Sequence, residues 1–264
     1  MTLDDAYANA AYIPDAARFP DLWQAEADAF RKATRSEIAI AYGPGERHVM
    51  DLFLPESTPK GLVVFVHGGY WLRFDRSYWS HLAAGAVAKG WAVAMPSYDL
   101  CPSVGIPDIT AQIAQAVTLA AERVDGPICL AGHSAGGHLV ARMAMPGVLP
   151  EAVAGRLRHV MPISPVADLR PLMQTSMNAD LGITEDIAAV ESPVLGAPLP
   201  DVAVTVWVGG DERPAFLDQA RWLAEAWGCG HVVTEGEHHF NVIAPLADAQ
   251  SEMVACLLAE DATS

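Results

Sequence analysis

Three residues carry the chemistry, in the chain order Ser134, Asp211, His239. A serine hydroxyl is a poor nucleophile at neutral pH. A histidine near its natural pKa can take the hydroxyl proton during attack and return it to the leaving group. A carboxylate that orients the imidazole and stabilises its charged form completes such a set. Ser134 lies in Gly132-His133-Ser134-Ala135-Gly136, after the apolar run Ile128-Cys129-Leu130-Ala131 and before Gly137-His138-Leu139-Val140-Ala141-Arg142-Met143. That pattern is a short buried strand, a glycine-flanked serine and a helix. In this context G-x-S-x-G predicts a sharp strand-to-helix turn with the hydroxyl lifted clear of the sheet. A helix N-cap serine also explains the hydroxyl, but not the paired glycines.

His67-Gly68-Gly69 follows another apolar run, Leu62-Val63-Val64-Phe65-Val66. Glycines let a backbone approach a substrate closely. The N–H groups of Gly68, Gly69 and Ala135 are the expected oxyanion hole, each donor contributing a few kcal/mol at the transition state. Asp211 has a competing reading as a helix N-cap ahead of Pro214. His238 competes with His239 for the role of base. His67 is expected to brace the glycine loop, and His133 and His138 to pack or bond locally. No metal is indicated: H-E-x-x-H is absent, and Glu237-His238-His239 lacks partners at ligand spacing. No Walker loop and no G-x-G-x-x-G after the first strand occur, so no cofactor is expected.

These residues need a scaffold that brings four loops together. Strand patterns fall at residues 38–42, 48–54, 62–66, 91–95, 128–131, 159–163, 202–208 and 230–234. Helical spacing marks 21–31, 76–89, 107–124, 214–227 and 242–258, with an irregular stretch over 165–200. In 21–31 the expected buried face is Leu22, Ala25, Ala29 and Phe30; in 107–124 it is Ile109, Ile113, Val117 and Ala120. Alternating strands and helices imply an α/β fold, with a mostly parallel central sheet and helices on both faces. Ligands bind beyond the carboxyl ends of such strands, which is where Gly68, Ser134, Asp211 and His239 fall. Residues 1–264 read as a single domain, with 1–35 an N-terminal helical appendage and a candidate lid.

The 264 residues are 52% hydrophobic and carry a net charge of −16. That charge argues against a nucleic-acid partner and against anionic membranes. The N-terminus lacks a basic segment followed by an apolar one, so no secretory signal is expected. The four cysteines form no C-x-x-C pair, and the plain reading is a reduced, cytoplasmic chain. The expected partner is a small-molecule substrate. The composition permits a homodimer without requiring one.

The motifs carry a specific resemblance. His67-Gly68-Gly69-Tyr70-Trp71 resembles the H-G-G-x-W motif of the kynurenine formamidase (arylformamidase) group of α/β-hydrolase serine enzymes. The Gly132–Leu139 nucleophile segment is similar to that group's. So are Asp168-Leu169-Arg170-Pro171-Leu172 with Thr175 and Asn178, and Asp211-Glu212-Arg213-Pro214-Ala215-Phe216. His239-Phe240-Asn241-Val242-Ile243 resembles the base segment and selects His239 over His238. Asn241 stands where the group has an acidic residue, and Ser97-Tyr98-Asp99-Leu100-Cys101-Pro102 only approximates its Y-x-L-x-P loop. The resemblance implies hydrolysis of N-formylkynurenine to kynurenine and formate through a formyl-enzyme. It assigns Ser134 as nucleophile, His239 as base and acid, and Asp211 as orienter. Tyr70 and Trp71 are candidates for confining the substrate, although both also suit ordinary core. Arg73 is a candidate partner for an amino-acid carboxylate, or a solvated surface residue. A small-acyl carboxylesterase or thioesterase would use the same residues. A non-catalytic binding protein on this fold would be expected to lose one of the three.

Overall fold

The computed structural model describes residues 2–258. Met1 of the N-terminal appendage, and 259–264 of the expected single domain, lie outside the described residues. The eight expected strands are present: β1 Ser36–Ala41, β2 Val49–Phe53, β3 Leu62–Val66, β4 Ala92–Pro96, β5 Ile128–His133, β6 Leu157–Ile163, β7 Ala203–Gly209 and β8 Gly230–Thr234. They form one sheet in the order β1-β2-β4-β3-β5-β6-β7-β8. β2 pairs antiparallel with β1 and with β4, and the remaining pairs are parallel.

Alternation in the central strands decides what lies on each face. Leu62, Val64 and Val66 of β3 join Ile128 and Leu130 of β5 in one core layer. Val63, Phe65, Cys129 and Ala131 join the other. Both faces are covered, so these strands are apolar throughout. Ile109, Ile113, Val117 and Ala120 of the helix Ile106–Arg123 pack on the first layer, as their spacing predicts.

Three local expectations change. Helix Phe19–Ala33 buries Trp23 and Ala27, with Phe30 partly covered, while Leu22 is exposed. Trp23 sets the face because its ring packs on Trp79 at 4.6 Å and on Phe240 at 5.4 Å. Residues 76–89 are two 3₁₀ turns, Arg76–Tyr78 and Ser80–Ala83, leading into the short helix Ala84–Ala88. The closing helix begins only at Glu252, where the Ser251 side chain accepts from Val254 N. Residues before it form the 3₁₀ turn Ala244–Ala247, with Pro245 in its first turn. Residues 165–200 are irregular, with short helices at Asn178–Leu181 and Glu185–Glu191.

Candidate active site

Ser134 joins β5 to the helix Ala135–Met143 with φ 57° and ψ −115°. A non-glycine residue rarely adopts such a backbone, and it persists only where surrounding structure enforces it. The two flanking glycines provide that enforcement. A Cβ on Gly132 would lie 2.2 Å from the Gly136 carbonyl oxygen, and one on Gly136 would lie 2.0 Å from that of Val66. The helix start therefore excludes a side chain at Gly132, and the close approach of β3 excludes one at Gly136. Ser134 N donates to Ile163 O at 2.8 Å, which pins the turn to β6. The hydroxyl makes no capping bond to the helix, so the N-cap explanation does not hold.

The expected oxyanion loop lies across from the elbow. A Cβ on Gly68 would sit 3.0 Å from Ser134 Cβ. Gly69 has φ +113°, and a side chain there would meet the Arg73 carbonyl oxygen at 2.5 Å. His67 braces the loop, as expected. Its Nδ1 bonds the Gly68 carbonyl at 2.8 Å, and its ring stacks on Tyr98 at 4.3 Å. Tyr98 donates its hydroxyl to the His67 carbonyl at 2.9 Å. Burial pushes the His67 pKa down to about 4, so the ring is neutral. Ala135 is the first residue of its helix, where an N–H has no intrahelical acceptor.

His239 Nδ1 bonds Glu212 Oε2 at 2.6 Å, with both side chains buried. This corrects the expected acid. Asp211 is exposed, and its N–H donates to Glu237 O at 3.0 Å. The turn after β7 brings Glu212 N back towards Gly209 O at 3.3 Å, and of the two successive carboxylates Glu212 is buried while Asp211 is exposed. Glu212 Oε1 accepts from Gly209 N at 3.0 Å and from the Ser164 hydroxyl. A buried carboxylate held by these donors and by a histidine has the satisfied surroundings such a charge requires. Asp211 is not the helix cap either, because that position of Pro214–Trp227 belongs to Arg213.

His238 is turned to local structure: its Nδ1 accepts from Phe240 N at 3.1 Å. Asn241 holds the same turn, its Oδ1 accepting from His238 N at 2.7 Å. The His239 ring lies between Phe216, 4.4 Å away, and His133, 4.6 Å away. Burial and the neighbouring His239 hold the His133 pKa well below the ordinary range.

Ser134, His239, Gly68 and Gly69 line one cavity of about 830 Å³. Tyr70 and Arg73 line it too, with Trp23, Phe74, Trp79 and Phe240 as aromatic wall. The N-terminal segment supplies part of the lining as well, including Asp4, Tyr7 and Asn9. Trp71 is a second correction. It is fully buried and packs edge-on against His138 at 5.1 Å, away from the cavity. Its role is to fasten the glycine loop to the nucleophile helix. His138 Nε2 in turn bonds Glu191 O at 2.7 Å.

Sequence reasoning missed Glu212 and Ser164. Glu212 was one residue from the acid expected, and the register of a short turn is not written in residue type. Ser164 carries φ 47° just past β6, where Ser164 N donates to Trp207 O at 2.7 Å. Among the described residues no group of three His, Cys, Asp or Glu is arranged to hold a metal ion. No helix there is long and apolar enough to cross a membrane.

Sheet order, elbow and paired glycine loop define a hydrolase scaffold. The chain belongs to the α/β-hydrolase family, whose model of the alpha/beta hydrolase fold matches residues 63–197. It is 27% identical over 243 residues to a kynurenine formamidase of Salmo salar, covering 86% of this chain and 83% of that one. It is 29% identical to the kynurenine formamidase of Drosophila melanogaster, covering 81% and 78%. A crystal structure from Silicibacter sp., provisionally named a thioesterase, is 62% identical with a TM-score of 0.96, covering 98% of this chain and 99% of that one. The protein is a hydrolase.

Proposed function

We propose that the protein cleaves an aryl formamide, N-formylkynurenine, to kynurenine and formate. The observation that carries the reading is His239, held at Nδ1 by Glu212, in the same cavity as Ser134 on its strained elbow. With Nδ1 committed to Glu212, Nε2 is left to take the Ser134 proton. Ser134 Oγ attacks the formyl carbon, and the N–H groups of Gly68, Gly69 and Ala135 hold the oxyanion. The C–N bond breaks as His239 returns the proton to the aryl nitrogen. An arylamine leaves poorly as an anion, so that proton is needed. Water, deprotonated by His239, then attacks the formyl ester and releases formate and Ser134. The relatives named kynurenine formamidase over most of the chain support the substrate, and the aromatic wall suits an aryl body.

The second reading, hydrolysis of a small-acyl thioester or ester, is favoured by the 62% identical structure provisionally named a thioesterase. The same residues would act. One experiment separates the two: kcat/KM for N-formylkynurenine, a short-chain acyl thioester and a short-chain p-nitrophenyl ester, with wild type and Ser134→Ala. A formamide value far above the others, lost in the variant, is the expected result. Thioester or ester cleavage with negligible formamide turnover would overturn the formamidase reading.

A further inference from the structure

The cavity lining carries charge that the reaction does not use. Asp4 and Arg73 line it and, leaving aside the histidines, are its two ionisable charges of opposite sign. Among the described residues neither makes an ion pair. Asp4 Oδ1 accepts from Ser176 N at 2.6 Å and from the Ser176 hydroxyl at 2.8 Å. Those bonds fix the carboxylate and hold its pKa below the ordinary range, so it is an anion at neutral pH.

A third group lies on the same cavity. Asn9 is only 6% exposed, and its amide nitrogen and oxygen both lack a hydrogen-bond partner among the described residues. A buried amide without partners is costly, and in native proteins such a group calls for an explanation. Its backbone is fixed: Asn9 N donates to Tyr7 O at 3.1 Å, and Tyr7 OH accepts from Gln219 at 2.8 Å. An anion, a cation and an amide that both donates and accepts match a ligand with an ammonium and a carboxylate on the same carbon.

We propose that Asp4, Asn9 and Arg73 form a subsite for the zwitterionic head group of an α-amino acid carried by the substrate. Asp4 and the Asn9 oxygen take the ammonium, and Arg73 and the Asn9 nitrogen take the carboxylate. No covalent step is involved. The proposal rests on the formamidase reading for the aryl body attached to that head group.

The test is titration calorimetry with L-kynurenine and with 2-aminoacetophenone, which has the same aryl ketone without the head group. Wild type should bind L-kynurenine about 10- to 100-fold more tightly, the worth of charge-assisted bonds. Asn9→Leu and Arg73→Gln should each reduce that ratio towards one. Removing an unpartnered amide should leave the melting temperature of Asn9→Leu no lower than wild type, whereas a merely structural Asn9 would lower it. Arg73 is exposed, so Arg73→Gln keeps the test open if Asn9→Leu fails to fold. A wild-type ratio near one, no binding of either ligand, or a ratio that survives in the folded variants would overturn the subsite. Tight head-group-dependent binding without N-formylkynurenine turnover would support the subsite and overturn the formamidase reading. Turnover with a ratio near one would do the reverse.

Discussion

Tyr70 donates its hydroxyl to the backbone carbonyl of Tyr7 at 2.7 Å, which joins the glycine loop directly to the N-terminal segment. Tyr70 sits one residue past Gly69 with φ 53°, a conformation that this bond helps to hold. The segment is tied at other points as well. Asp5 pairs with Arg213 at 3.0 Å, and Arg213 lies 3.5 Å over the Tyr12 ring. Arg213 directly follows Glu212. The wall of the cavity is thus fastened to the residues next to the oxyanion loop and next to the buried acid. Tyr70→Phe leaves the Tyr7 carbonyl without its donor. The expected cost is about 1–2 kcal/mol of unfolding free energy in a urea titration, together with a several-fold fall in kcat/KM as the loop loosens.

Glu212 and Asp211 give a direct contrast. Glu212→Gln keeps the shape but removes the charge that would stabilise the His239 imidazolium. A fall in kcat of about 10³- to 10⁴-fold is expected, by analogy with loss of the acid in other triads. Asp211→Asn, at an exposed position, should stay within about twofold, as surface substitutions remote from such features do. Steady-state hydrolysis of a p-nitrophenyl ester reads both. The opposite order of effects would return the acid role to Asp211.

That contrast also marks where the sequence stopped being legible. Eight strands and the elbow could be read because apolar runs and paired glycines are local signals. The position of Trp71 could not: H-G-G-x-W names the tryptophan, but only the packing of the loop on His138 turns it inward. Phe19–Ala33 misled in the same way. Its apolar residues allow two faces, and the packing of Trp23 on Trp79, 56 positions away in sequence, decides between them. Asn9 gave no signal at all, since an asparagine among alanines reads as a turn until a cavity forms beside it.

The buried histidines predict how stability responds to pH. His67 and His138 are both pushed down by burial, from an ordinary value of 6.5 to about 4. Below pH 6.5 the unfolded chain binds protons that the folded chain refuses, so stability rises with pH in this window. It is fully present above 6.5 and is lost as pH falls towards about 4, with a slope of about 1.4 kcal/mol per pH unit for each histidine. His138→Gln preserves a donor to the Glu191 carbonyl and removes the titration. Unfolding free energies measured between pH 7 and pH 4.5 should show a shallower loss by about that slope. An unchanged slope would mean that His138 takes up its proton without unfolding.

The elbow glycines should tolerate far less than glycines elsewhere. At Gly136 an added Cβ meets the backbone of Val66 and His67, not a flexible side chain, and β3 lies at the centre of the sheet where it has no room to move. Gly136→Ala is therefore expected to cost more than about 3 kcal/mol, at or beyond the upper end of overpacking penalties. Gly147 has φ +79° with nothing within 4 Å of an added Cβ, so Gly147→Ala carries only the backbone strain, about 1–2 kcal/mol. Chemical denaturation of the two variants separates crowding from strain. If Gly136→Ala were the milder change, the approach of β3 to the nucleophile turn would have to be looser than its contacts indicate, and the elbow would owe its shape to the serine backbone alone.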